Sequence, residues 1–173
     1  MSFYQKLQIV TALAVIVGLS VTARGGSRPS MGALAIALAT LTCSLLAVGV
    51  VSHTLMRHVV QVIPVVVAFA LVIRRSAIGV PAAAPIFAFW LLIMGGIWLF
   101  LVGAAPVFPG RFSPTEIALT VVIGAASLIG LVITRQSGRT TPAVWVRIML
   151  VVAFAILQWA AMWTSVQVSR ILR

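Results

Sequence analysis

Residues 113–134 read SPTEIALTVVIGAASLIGLVIT, and this stretch decides the fold class of the chain. Ser113 is of the type that caps a helix, Pro114 suits the first helical position, and Glu116 stands where a capping box places its acid. Residues 117–134 then carry no charge. A charge-free apolar run of this length, opened by a capping box, predicts a helix that crosses a membrane.

Similar apolar runs occupy most of the remaining sequence. All of them are longer than typical strands and none alternates strictly between apolar and polar residues, which argues against a transmembrane barrel. Six spans of about 20 residues leave no room for a soluble domain. The sequence therefore predicts an all-α bundle of six transmembrane helices, forming a single integral membrane domain over residues 1–173. The predicted spans are residues 7–23, 33–52, 58–73, 86–107, 114–134 and 143–168.

Composition supports the same class. Hydrophobic residues make up 62% of the chain and charged residues only 8%, whereas soluble domains carry about 25% charged residues. The formal net charge of +11 does not indicate a nucleic-acid partner, because the basic residues are scattered singly or in pairs and form no basic face. Membrane lipids are the predicted partners. A single cysteine, Cys43, excludes an internal disulfide and a thiolate zinc site.

The distribution of basic residues predicts an orientation. With six spans, seven of the twelve basic residues fall on the side of the first, third and fifth connections, which the positive-inside rule makes cytoplasmic. Both termini are then predicted outside the cytoplasm. The absence of a leader of the transit type favours a bacterial inner membrane. The seven candidates for contacts with lipid headgroups are Arg24, Arg28, Arg74, Arg75, Arg135, Arg139 and Arg147.

The connection between the second and third spans holds the densest group of titratable residues. His53, Arg57 and His58 lie there within six positions, and Gln61 follows one helical turn after His58. In a six-span topology the fourth connection lies at the same membrane surface, which brings Glu116 to this group. The five residues are the predicted candidate polar site, where histidine and glutamate could relay protons or ligate a metal and Arg57 could bind an anion.

A purely structural explanation accounts for the same residues. A tight hairpin needs polar side chains to satisfy exposed backbone groups, and Glu116 already belongs to the capping box. Pro64 predicts either a packing kink or a broken helix beside Gln61. Gln158, deep in the last span, is expected to hydrogen-bond another helix or to line a cavity, and small residues at four-residue spacing predict close helix contacts. These stripes are Ala14/Gly18/Thr22, Ala35/Ala39/Cys43/Ala47 and Ala126/Gly130.

Three classes of function fit these sequence features. The first is an accessory or assembly subunit that packs against other membrane protein subunits, and the second is a permease or membrane component that binds a small solute. The third is a membrane enzyme or a metal or haem protein using His53 and His58. A single carboxylate side chain in the whole chain excludes paired-acid and two-metal catalysis. The sequence favours a non-enzymatic protein without a cofactor, with the accessory subunit as the leading prediction.

Overall fold

The computed structural model describes residues 2–22, 31–104, 112–136 and 143–171. Within these ranges the chain is all-helical, without strands, and its six helices are each long and apolar enough to cross a membrane. The prediction of a six-helix bundle is confirmed, and the helices indicate a multi-pass membrane protein. Their bounds are α1 Phe3–Thr22, α2 Met31–Val51, α3 Leu55–Ile73, α4 Gly79–Leu101, α5 Pro114–Gln136 and α6 Val144–Ile171.

Helix α4 forms the centre of the bundle. It packs against α1, α3, α5 and α6, while the other five helices contact one another in the order α5, α2, α3, α6 and α1. Every residue from Gly79 to Trp90 is buried. Large apolar side chains on the surrounding helices instead point outward, as expected for surfaces that face lipid chains.

Two of the helices begin with reciprocal capping boxes. At α5 the backbone N–H and the hydroxyl of Ser113 donate to Oε2 of Glu116 over 2.7 and 2.8 Å, and the Glu116 N–H donates back to the hydroxyl over 3.3 Å. The predicted box is confirmed. At α1 the Gln5 N–H donates to the Ser2 hydroxyl and the Ser2 N–H donates to the Gln5 amide oxygen. This second box makes α1 begin four residues before the predicted start.

Three helices end in the same left-handed turn. In each, the second residue beyond the helix has a positive φ: 55° at His53, 51° at Arg75 and 73° at Gly103. The following N–H bonds back five positions along the chain, as Thr54 does to the Gly49 carbonyl over 2.8 Å. This is the Schellman arrangement, which satisfies carbonyls that the helix end would otherwise leave unpaired. The left-handed position is commonly glycine, so a histidine and an arginine there are unusual.

The predicted bounds of α4 were wrong at both ends. The helix begins at Gly79, seven residues before the predicted start at residue 86, because Pro81 lies in its first turn, where a missing N–H has no helical partner to lose. Pro85 lies inside the helix. At the other end α4 stops at Leu101, and the turn around Gly103 is complete before residue 107.

Two of the three predicted stripes of small residues face neighbouring helices. Ala14, Gly18 and Thr22 are buried, as are Ala126 and Gly130. The ring edge of Phe87 lies directly over Gly130, where an added Cβ would approach Cζ to 2.4 Å. The stripe in α2 was wrong: Cys43 is exposed and Ala35, Ala39 and Ala47 are only half-buried. The larger residues of α2 instead face the interior: Leu34, Leu38, Leu41 and Leu45.

Candidate functional site

A cavity of about 350 Å³ lies between the helices at one end of the bundle. All six helices contribute to its wall, which contains the polar side chains of Lys6, Ser52, Thr54, Arg57, His58, Gln61, Glu116 and Thr120. The beginnings of α1, α3 and α5 meet there with the ends of α2, α4 and α6, and we call this end the cavity face. Trp90 lies deepest along α4 in the wall, about 16 Å from the end of that helix at the usual rise of about 1.5 Å per residue.

Four of the five residues of the predicted polar site line this cavity: Arg57, His58, Gln61 and Glu116. The second and fourth connections therefore lie at the same face, as the six-span topology requires. His53 does not line the cavity. Its side chain is exposed and its backbone forms the left-handed residue of the turn after α2. The tight turn separates two histidines that are five positions apart in sequence, and only His58 faces the interior.

The ring of His58 is held by a chain of hydrogen bonds through the turn. Nδ1 lies 3.1 Å from the Thr54 carbonyl and 3.2 Å from the Thr54 hydroxyl. Because a carbonyl only accepts, Nδ1 carries the proton and Nε2 is the nitrogen with a free lone pair. The Thr54 hydroxyl donates to Ser52 over 2.6 Å, and Ser52 donates to the Val48 carbonyl over 2.7 Å. The ring also packs on Gly49, where an added Cβ would lie 2.9 Å from that of His58.

Arg57 is the cation in the wall that lacks a counter-charge. The guanidinium is half-buried, and its Nε atom is shielded from water without any hydrogen-bond partner in the described part of the chain. The sequence has one acidic side chain, Glu116. Within the described residues that carboxylate forms no ion pair with Arg57, and its Oε2 accepts the two bonds from Ser113 at the beginning of α5. The positive end of the α5 helix dipole further stabilises the negative charge of Glu116.

Thr120 and Gln61, two further polar residues of the wall, are already paired within the protein. The Thr120 hydroxyl accepts a bond of 3.1 Å from the Trp98 indole and donates to the Ile117 carbonyl over 2.7 Å. Gln61, which is 2% exposed, donates its amide to the Ser165 hydroxyl over 2.9 Å and to the Met162 sulfur over 3.2 Å. These groups shape the cavity, but their hydrogen-bond capacity is largely used within the protein.

Gln61 also joins α3 to α6 through its backbone. The amide of Gln158, a side chain with 0% exposure, donates to the Gln61 carbonyl over 3.1 Å. The prediction that Gln158 bonds another helix is confirmed. Pro64 lies one turn further along α3, which continues through it without a break, so the broken-helix prediction was wrong. A proline removes one N–H from the helix ladder, and polar groups of a neighbouring helix stabilise such a turn in a membrane.

The predicted headgroup residues lie at the opposite end of the bundle where they are described. Arg74, Arg75 and Arg135 are exposed at helix ends, and Arg24, Arg28 and Arg139 lie outside the described residues. Arg147 has a protein partner: its guanidinium donates to the Thr22 carbonyl at the end of α1 over 3.0 Å. A cation at this position satisfies an unpaired carbonyl and faces the negative end of the helix dipole. Lipid contact by these residues stays a prediction.

Comparison with known proteins gives no relative. No family model, curated protein or solved structure matches the chain. Its function is therefore inferred from its own residues. Lys6 and Trp90 are examples of cavity-wall residues that were not among the predicted site residues. The six-span topology places Lys6 at the cavity face, but no local pattern marks Trp90 as a wall residue. Within the described ranges, no three His, Cys, Asp or Glu residues are grouped to hold a metal ion.

Proposed function

We propose that this chain is a membrane component that binds a small solute in the cavity formed by its six helices. The observation that carries the proposal is the cavity itself, with about 350 Å³ of space between the six helices. Ligand sites are typically concave, mostly apolar and about 300–1,000 Å³, with a few polar groups that orient the ligand. An accessory subunit, the leading sequence-based prediction, needs outer surfaces for its partners but no interior space.

Filling the cavity tests this function. Val48 lines the cavity, whereas Val50, two residues further along α2, is 59% exposed on the outer surface. We expect Val48→Trp to occupy the space and to abolish copurification of a low-mass solute that wild type retains. Val50→Trp, the matched control, should retain it. The measurement is mass spectrometry of small molecules released from protein purified out of its native membrane.

The accessory-subunit interpretation predicts the opposite pattern. If all three chains release the same small molecules, and Val50→Trp rather than Val48→Trp loses stoichiometric protein partners, the cavity has no role in binding. An elution volume and a helical circular dichroism spectrum like those of wild type establish that the tryptophan variants remain folded.

We further propose that the cavity opens away from the cytoplasm. The support is the charge bias of the sequence: seven of the twelve basic residues fall in or beside the first, third and fifth connections, and the positive-inside rule places that side in the cytoplasm. A solute would then enter from outside the cell, in the direction of uptake.

Two turns of the same geometry provide the test of orientation. His53 and Arg75 are both exposed and both have a left-handed backbone conformation, but they lie at opposite ends of the bundle. In a Cys43→Ser background, His53→Cys should react with a membrane-impermeant maleimide in intact cells, and Arg75→Cys should react only after permeabilisation. The reverse pattern would place the cavity opening in the cytoplasm.

A further inference from the structure

The charge that the protein leaves unpaired in the described part of the cavity wall is positive and suits an anion. Among the described wall residues, the Arg57 guanidinium and the indole N–H of Trp90 are donors without a protein partner. Nε2 of His58 also lacks a partner, but its lone pair accepts a hydrogen bond and does not bind an anion. Lys6 adds a second positive charge to the wall. Two basic side chains against one carboxylate leave one positive charge uncompensated inside a low-dielectric surround, which is unfavourable unless an anion binds there.

The deeper wall is apolar. Below Arg57 the cavity is bounded by Leu7, Val10, Leu45, Ile93, Ile97 and Trp90. Trp90 is 3% exposed, and its indole ring offers a face against which an aromatic or aliphatic body can pack. Its Nε1 donor has no hydrogen-bond partner in the described residues. Charge is therefore confined to the opening, and apolar surface to the interior.

We infer that the solute is an amphipathic organic monoanion, whose acidic group binds Arg57 near the opening and whose apolar body lies against Ile97 and Trp90. This inference rests on the proposed function and adds the chemical class of the ligand. The ammonium group of a zwitterion or a cation would have Glu116 as its one carboxylate partner in the wall, and it would face the positive charges of Lys6 and Arg57 there. The volume of about 350 Å³ is at the small end for ligand sites, which favours a compact water-soluble acid over a long-chain lipid.

The charge preference of the cavity can be measured without the natural ligand. Cys43 is the sole cysteine, so Ile97→Cys in a Cys43→Ser background places one thiol in the wall. Its reaction rates with sulfonatoethyl and trimethylammonioethyl methanethiosulfonate, relative to the same rates for a free thiol, give the local preference for an anion. We expect the anionic reagent to be favoured about tenfold, as for a unit charge a few ångströms away under partial screening.

Variants of Arg57 test whether this residue causes the preference for the anionic reagent. Arg57→Gln should remove most of the tenfold preference for the anionic reagent, and Arg57→Lys should keep it. Arg74→Gln is the control, because it removes the same charge from the opposite end of α3 and should leave the preference unchanged. A ratio of one or below in the parent chain overturns the inference. If neither reagent modifies Ile97→Cys, while free thiol reacts normally, the cavity is closed to water and the proposed function itself fails.

Matched small molecules complete the test. 3-Phenylpropionate, 3-phenylpropanol and 3-phenylpropylamine share one apolar body and differ in charge. The anion should protect Ile97→Cys from neutral N-ethylmaleimide at about a tenfold lower concentration than the alcohol, and Arg57→Gln should abolish the difference. Equal or better protection by the amine overturns the anion assignment while leaving solute binding intact. Dodecanoate, tested on the protein in lipid vesicles, separates an anion that enters from the bilayer from one that enters from water. Stronger protection by dodecanoate than by 3-phenylpropionate would overturn the assignment to a water-soluble acid.

Discussion

Gly130→Ala is expected to destabilise the bundle by about 1–3 kcal/mol, the usual range for overpacking a well-filled core. A methyl group on Gly130 would lie 2.4–2.5 Å from three ring carbons of Phe87, and Phe87 is fully buried on the central helix. The ring cannot swing into lipid, so α4 and α5 must separate. The measurement is the unfolding midpoint of the purified protein in a denaturing-detergent titration.

Gly95→Ala is the matched control for this substitution. Gly95 also lies in α4 of the same bundle, but no atom lies within 4 Å of its added Cβ. Its replacement should leave stability unchanged or raise it by up to about 1 kcal/mol, because alanine is the better helix former. Adding Phe87→Leu to Gly130→Ala should recover part of the loss. Equal effects of the two alanine variants would contradict the close contact between α4 and α5.

Arg147→Met should destabilise the protein by about 1.5 kcal/mol, at the lower end of the range for hydrogen bonds with charged donors. The substitution removes the bond to the Thr22 carbonyl and leaves the end of α1 without that partner. The loss is at the low end because the buried Nε of Arg147, which has no partner in the described residues, is removed as well.

Arg135→Met separates capping from simple loss of charge. Arg135 lies at the end of α5, also away from the cavity face, and its side chain is exposed, so its replacement should change stability by less than about 0.5 kcal/mol. Both variants are compared in the same detergent titration. Similar losses for the two would mean that the positive charge of this face, rather than the contact with α1, stabilises the bundle.

The helices could be predicted because each obeys a local rule. Long charge-free runs identify the six spans, and the Ser113 capping box fixes the start of α5 to the residue. The beginning of α4 was missed because Pro81 and Pro85 resemble a connection, although a proline in a first turn is compatible with a helix. The box at Ser2 and Gln5 follows the same pattern as that of α5 and could have been found.

Helix faces and partners were harder to predict. A transmembrane helix is apolar on all sides, so hydrophobicity does not distinguish a buried face from one in lipid. This explains the error in α2, where small residues lie outside the interior. Gln158 could be predicted to need a partner, but the carbonyl it binds is 97 positions away in sequence. Neighbouring histidines could be recognised, yet only the turn geometry separates exposed His53 from cavity-lining His58.

The position of α4 determines when the bundle can be completed during synthesis. Its first half is covered on all sides in the finished protein, yet two of its neighbours, α5 and α6, follow it in the chain. When α4 leaves the ribosome it enters the bilayer as an apolar span with lipid in place of those helices, and it packs into its site only after them, as in two-stage assembly. Chains interrupted before residue 114 would therefore insert into the membrane without forming the completed bundle.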